Sequence, residues 1–208
     1  MAKNRKEWVI QRKRDPYYKK AKKEGYRSRS VYKLKHINDK FRILKKGNKV
    51  LDIGAAPGGW IQYAVENVGN RGFVIGVDIN VIEPLPYENI KLLQLDLRNT
   101  DSIDVIYKET KKISFKKCDV ILSDISPNIY GVWDIDVNRQ IELCESVLEV
   151  SKKVLKRNGI CVYKLFQGSE TDVFLNKLRQ TFFKVKIFRP IATRKKSSEI
   201  YIIGFGLR

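Results

Sequence analysis

Little in this chain of 208 residues points to a membrane, a metal or an oxidising environment. No apolar run approaches the ~20 residues needed to span a bilayer. The opening stretch, MAKNRKEWVIQRKRDPYYKK, is basic but lacks the apolar centre of a secretory signal. Cysteine is scarce: Cys118, Cys144 and Cys161 stand apart, each in or beside an apolar run, and His36 is the single histidine. With no CxxC and no Cys/His ligand spacing, no metal site is expected, and the thiols read as buried structural groups in a reducing cytoplasm. Internal repeats and low-complexity linkers are also missing. One compact α/β domain plus an extension accounts for the length, and 43 % hydrophobic residues suffice for a core.

Acidic residues are outnumbered, 23 against 42 Lys and Arg, a net charge of +19. The imbalance is local. Residues 1–46 hold 18 basic and 4 acidic residues, a net of +14, and the rest of the chain carries only +5. Aromatics (Trp8, Tyr17, Tyr18, Tyr26, Tyr32, Phe41) are interleaved with this charge. A solvated tail needs no such aromatics, whereas phosphate contacts combined with base stacking do, so the segment is expected to bind nucleic acid.

The densest signal is VLDIGAAPGGW, Val50 to Trp60. A short apolar run ending in Asp52 reads as a buried parallel strand. Gly54, Ala55, Ala56, Pro57, Gly58 and Gly59 then form a turn of small residues that a ligand can approach closely. Trp60 and the apolar positions after it open a helix. Strand, glycine turn and helix together place a nucleotide-like ligand at the carboxyl end of a sheet. The glycines do not fit the dinucleotide fingerprint GxGxxG, because Ala56 stands at its middle position and a proline interrupts the turn. A second apolar run, FVIGVD, ends in Asp78, an acid that can accept hydrogen bonds from both ribose hydroxyls of an adenosine. S-adenosylmethionine has that ribose and no pyrophosphate. A site for it, a dinucleotide site and a generic α/β turn all remain open on this segment alone.

Residues 1–16 read as flexible, and 17–25 and 29–42 as short basic helices, the second with Val31, Leu34, Ile37 and Phe41 on one face. Strands are predicted over 49–54, 73–78, 90–95, 118–124, 159–165, 183–189 and 199–206, and helices over 58–68, 101–112, 134–156 and 170–181. Asn158-Gly159 marks the expected end of the long third helix of this set. No helix separates the last two strands, so they should pair antiparallel at one end of a mostly parallel sheet. The predicted fold is α/β: a Rossmann-like, class I methyltransferase layout of seven strands, residues 47–208, preceded by a basic helical extension, residues 1–46.

The predicted strand ends collect polar residues: Asp52 to Gly54, Asp78, Asp96 in LQLDL, Asp124 in LSDISPN, Lys164 inside ICVYKLFQG, and Glu199 opening the last strand. Asp96 is placed to meet an adenine amine. Lys164 is either a lysine whose head escapes to water or an amine held partly buried among cations, which would lower its pKa.

Taken in order, these motifs resemble the FtsJ/RrmJ-type RNA ribose 2′-O-methyltransferases. The likeness spans about residues 25 to 208 and rests on RSRSVYKL, LDIGAAPGGW, the VD at Asp78, SDISPN, VYKLFQG and SSEIYII. It implies a Lys-Asp-Lys-Glu tetrad at Lys33, Asp124, Lys164 and Glu199, and an S-adenosylmethionine site at Gly54, Gly58, Trp60, Asp78, Asp96 and Asp124. It further implies a monomeric cytoplasmic enzyme acting on RNA, on a uridine of large-subunit ribosomal RNA or, alternatively, on a transfer RNA anticodon loop.

A ribose hydroxyl is a weak nucleophile, so such an enzyme must align oxygen, methyl and sulfur and remove one proton. Lys164 is the candidate base. Lowering an amine from ~10.4 to ~7.5 costs roughly 4 kcal/mol. Lys33 favours that shift, while Asp124 and Glu199 oppose it. Lys164 acting instead by positioning the hydroxyl stays open. Base methylation is disfavoured, since neither an Asn/Asp-Pro-Pro-aromatic segment nor a cysteine in a strand-end loop is present. A non-catalytic RNA-binding module is disfavoured by the complete tetrad and the glycine turn.

Overall fold

The computed structural model describes residues 14–113 and 117–208. Most of the stretch read as flexible, 1–13 with Trp8, lies outside the described residues. The first described element is α1 (Pro16–Lys23), where Asp15 caps the amides of Tyr17 and Tyr18 and Pro16 takes the first-turn position that needs no N–H. Then follow α2 (Val31–Phe41), β1 (Lys49–Ile53), α3 (Gly59–Val68), β2 (Phe73–Asp78), β3 (Ile90–Gln94) and α4 (Asp101–Lys112). The chain continues through β4 (Cys118–Ser123), α5 (Trp133–Val154), β5 (Leu155–Phe166), α6 (Thr171–Thr181), β6 (Phe182–Phe188) and β7 (Glu199–Leu207). No described helix is long and apolar enough to cross a membrane.

The seven strands form one sheet in the order β3-β2-β1-β4-β5-β7-β6. All pairs are parallel except β5–β7 and β6–β7, which are antiparallel, as the missing helix between the last two strands implied. Period-two alternation sends side chains to two apolar layers. Val50, Val74, Val120, Leu122, Val162, Tyr201 and Ile203 pack with α2 and α3. Leu51, Ile53, Ile75, Ile121, Tyr163, Leu165 and Ile202 pack with α4, α5 and α6. Leu34, Ile37, Ile43 and Leu44 belong to the first layer, so α2, read as part of the basic extension, presses its apolar stripe onto the sheet, with Asp39 and Lys40 exposed and Lys33 half-buried.

The main departure from the sequence reading is at β5. The helix before it ends at Val154, two residues before the expected 156, and β5 begins at Leu155 rather than at 159. Leu155 turns into extended backbone, is fully buried and pairs with Cys118, while Ile160 pairs with Val120. The excess residues Lys156, Arg157 and Asn158 bulge outward, exposed. A burial advantage at Leu155 therefore outweighs the local stop signal. Gly159 is needed for packing instead: a Cβ there would sit 2.6 Å from the Leu155 side chain.

All three cysteines are free and buried. Burial pushes the Cys118 and Cys144 thiols up to about 12, so both stay protonated at neutral pH.

Candidate active site

The chain runs outward from β1 to β3, then returns and continues from β4 on the other side. That switch opens a crevice beyond the carboxyl ends of β1 and β4, where open α/β sheets bind ligands. Gly54 ends β1 at φ 76°, with its N–H donated to the Val77 carbonyl at 2.9 Å. A Cβ on Gly54 would fall 2.5 Å from the Ile125 Cα, so the loops after β1 and β4 touch backbone to backbone. Gly58 also has positive φ, 110°. Arg27 holds the turn from outside, donating to the carbonyls of Pro57 (3.1 Å), Glu83 (2.6 Å) and Pro84 (2.5 Å).

Beside this turn lies a cavity of about 500 Å³ bordered by Gly54, Ala56, Asp78, Asp96, Asp124 and Asn128. Asp78 uses one carboxylate oxygen to accept from Ala56 N (2.9 Å) and the other to accept from Asn80 N and Nδ2. The first oxygen keeps a lone pair for another donor. Asp96 is more committed. Arg98 donates to it from N, Nε and Nη2 at 2.6–3.0 Å, which takes its four acceptor directions and holds the carboxyl below its usual range. Gly58 and Trp60 stand behind the cavity rather than in its wall. The Trp60 indole is 2 % exposed, donates to the Ser30 carbonyl at 2.9 Å and packs 5.9 Å from the Tyr201 ring, so any ligand contact it makes is through its backbone.

The structure brings the four candidate catalytic residues together as two ion pairs. Lys164 Nζ donates to the Asp124 carbonyl at 2.6 Å and lies 3.3 Å from Asp124 Oδ1. Its head ends inside the protein on Asp124, with the side chain 7 % exposed, so it is not a lysine escaping to water. Lys33 Nζ sits 2.7 Å from both carboxylate oxygens of Glu199. Strand register explains the grouping: Lys164 faces Tyr201 and Phe166 faces Glu199 across β5 and β7, and Lys33 reaches in from α2.

Sequence reasoning missed Tyr201, which links the two pairs. Its hydroxyl donates to Asp124 Oδ1 at 2.7 Å, and Lys33 Nζ stands 5.8 Å from its ring centre. Burial, then Asp124 and Glu199, raise its pKa well above the ordinary range, so it remains a donor. Burial alone would raise the Asp124 carboxyl too, but Lys164, Lys33 and Tyr201 together hold it below the usual value. Gln140 was also missed. It donates to the carbonyls of Ile125 (3.1 Å) and Lys164 (2.8 Å), tying α5 to the loop after β4 and to β5.

Asp52 behaves in the opposite way. It is fully buried and neither carboxyl oxygen has a hydrogen-bond partner among the described residues. Burial, reinforced by Asp124 and Asp78, pushes its carboxyl well above the ordinary range.

A family model for FtsJ-like methyltransferases matches residues 26–207. Among curated relatives, the Ribosomal RNA large subunit methyltransferase E of Methanocaldococcus jannaschii is 45 % identical over 204 residues, covering 98 % of this chain and 83 % of its own. The protein of the same name from Methanothermobacter thermautotrophicus is 44 % identical over 199 residues, covering 96 % and 92 %. Among solved structures, one assigned as a ribosomal RNA methyltransferase of Plasmodium falciparum superposes with a TM-score of 0.77 at 32 % identity, covering 88 % of this chain and 98 % of that one. Aeropyrum pernix fibrillarin, solved with S-adenosyl-L-methionine, superposes at a TM-score of 0.56 and 15 % identity over 84 % and 76 % of the chains, a likeness of fold.

Proposed function

This chain belongs to the FtsJ-like methyltransferase family, and from that premise we propose that it methylates a ribose 2′-hydroxyl of large-subunit ribosomal RNA with S-adenosylmethionine. The observation that carries the reading is the convergence of Lys33, Asp124, Lys164 and Glu199 at one mouth beside the cavity.

The cavity fits the cofactor. Its volume is in the range of small-molecule sites, and its wall combines the Gly54 and Ala56 turn with apolar side chains such as Val77, Leu97 and Ile125 and the carboxylates of Asp78, Asp96 and Asp124. When bound, S-adenosylmethionine supplies a methyl group already activated on a sulfonium. Asp78 accepts from the cofactor's ribose hydroxyls. Asp96, already held by Arg98, would give the cofactor's adenine amine only a secondary contact. Small residues at the turn exclude side-chain bulk from its path.

Lys164 has three positions on its nitrogen. Two are used by the Asp124 carbonyl and carboxylate, and the third has no partner among the described residues. A neutral Lys164 keeps both donated bonds and turns its lone pair to the substrate hydroxyl, taking its proton as the oxygen attacks. Tyr201 and Asp124 fix that orientation. The Lys33–Glu199 pair offers donors and acceptors to the rest of the ribose.

Substrate holding outside the mouth falls to the basic segment 1–46, ahead of the methyltransferase domain 47–208. Removing residues 1–13 deletes a net charge of +4. RNA affinity should then fall less steeply with added salt, while cofactor affinity stays unchanged. An unaltered salt slope would assign the RNA contacts elsewhere. The reading as a whole is tested by transfer of labelled methyl groups from S-adenosylmethionine to large-subunit ribosomal RNA and to transfer RNA in parallel. Label in the ribosomal RNA is expected. Label only in transfer RNA would move the enzyme to the other substrate class.

A further inference from the structure

The loop between β4 and α5 holds apolar side chains in water without being loose. Ile129, Tyr130, Val132 and Trp133 are 61 %, 64 %, 53 % and 47 % exposed. The backbone beneath them is tied down. The Asp136 carboxylate is buried and accepts from Tyr130 N at 2.8 Å and Gly131 N at 3.0 Å, and Asp136 N donates to the Val132 carbonyl at 3.0 Å. A fixed loop that presents contiguous apolar surface marks a place where something binds.

Its position identifies the occupant. The Trp133 ring lies 6.3 Å from that of Phe166. Phe166 is two residues beyond Lys164 on β5, hence on the same side of the strand, and stands directly across from Glu199 of the tetrad. Trp133 therefore extends the reacting mouth outward by one pleat. Whatever sits on it borders the point where the substrate hydroxyl must arrive, and a protein seated there would close that entrance. In the second turn of α5 the Arg139 guanidinium lies 4.0 Å from the Tyr130 ring centre, where both residues also border the cavity assigned to the cofactor, adding a cation beside the aromatics. Flat aromatic surface with an adjacent arginine is the chemistry that holds unstacked bases and their phosphates in single-stranded RNA.

We propose that Trp133, backed by Phe166, is the stacking platform for an unpaired nucleobase at the ribose being methylated. The proposal rests on the functional reading above and adds where the RNA is held. It also implies that the target nucleotide is drawn out of any helix before reaction, since a paired base offers no free face to Trp133.

The test compares Trp133→Ala, Trp133→Phe and the unaltered full-length protein on transcribed large-subunit ribosomal RNA and on large ribosomal subunits lacking the modification. Trp133→Ala should raise KM for naked RNA about tenfold or more, in line with the loss of one stacked base. Trp133→Phe should recover most of that loss, and cofactor affinity by calorimetry should be the same in all three. An unchanged KM on naked RNA would overturn the platform. So would a parallel loss of cofactor affinity, which would give the loop to the cofactor, or a defect seen only on assembled subunits, which would give it to a protein partner. Transfer by the unaltered protein separates this proposal from the functional reading. If the unaltered protein methylates the RNA and Trp133→Ala does so equally well, only the platform falls. If the unaltered protein does not methylate RNA, the functional reading itself fails.

Discussion

The two sides of the crevice are built on opposite plans. On the β1–β3 side the glycine turn and the strand-end acids Asp78 and Asp96 border an open volume, and Asp52 lies behind it without a hydrogen-bond partner among the described residues. On the β4–β5–β7 side the space is filled by charges already satisfied by one another, Lys164 with Asp124 and Lys33 with Glu199, with Tyr201 between them. The first side is shaped to receive something. The second is arranged before anything arrives, so little reorganisation is needed at the moment of reaction. Binding and chemistry should therefore separate by mutation, side by side in one cleft.

The sharpest break is at Lys164. Lys164→Ala should lower methyl transfer by about 10²-fold or more, the usual scale for a positioned proton-transfer group, with cofactor affinity unchanged. Lys164→Arg should fail as well, because a guanidinium stays protonated and cannot take a proton from the hydroxyl. Near-normal turnover of either variant at saturating cofactor would erase the distinction between the sides. On the receiving side, Asp78→Ala removes charge-assisted bonds worth about 1.5–3 kcal/mol each and should weaken cofactor binding about tenfold or more. Asp96→Ala should cost less, because its carboxylate is already occupied by Arg98. Calorimetry showing the reverse order would mean that Arg98 leaves on binding and Asp96 is the main anchor.

The smallest effect is on stability and has a definite sign. The folded-state pKa of Asp52 is raised, whereas the unfolded chain titrates near ~3.9. The stability this group permits is complete below that value and is lost as pH rises toward its folded pKa. Asp124, held low, acts oppositely: its contribution is present above ~3.9 and lost as pH falls. Asp52→Asn should therefore gain stability relative to the unaltered protein between pH 5 and pH 8 in chemical denaturation. A difference that does not change with pH would show that Asp52 ionises normally.

Legibility from sequence follows the same division. The receiving side is written in contiguous segments: VLDIGAAPGGW gives strand, turn and helix in one line, and FVIGVD gives the acid. Local period and glycine placement suffice there. The reacting side joins residues from 33 to 201. Lys164 was conspicuous as a charge inside an apolar run, but the partnership of Lys33 with Glu199 spans 166 positions and was available only through family likeness. Tyr201 and Gln140 carried no local mark at all. Their roles come from the β5–β7 register and from the angle at which α5 crosses β5, neither of which a window of sequence contains. The early start of β5 escapes the sequence for a related reason: Asn158-Gly159 is a good local boundary, but the buried pairing of Leu155 with Cys118 is decided across 37 residues.

The central claim is that the filled side acts on a ribose oxygen. Alkaline cleavage of RNA requires a free 2′-hydroxyl to attack the neighbouring phosphate, and a methyl group on that oxygen blocks it. Ribosomal RNA labelled by this protein should therefore release its label, after complete alkaline hydrolysis, in resistant dinucleotides. Label recovered entirely in mononucleotides would place the methyl group on a base and contradict the account.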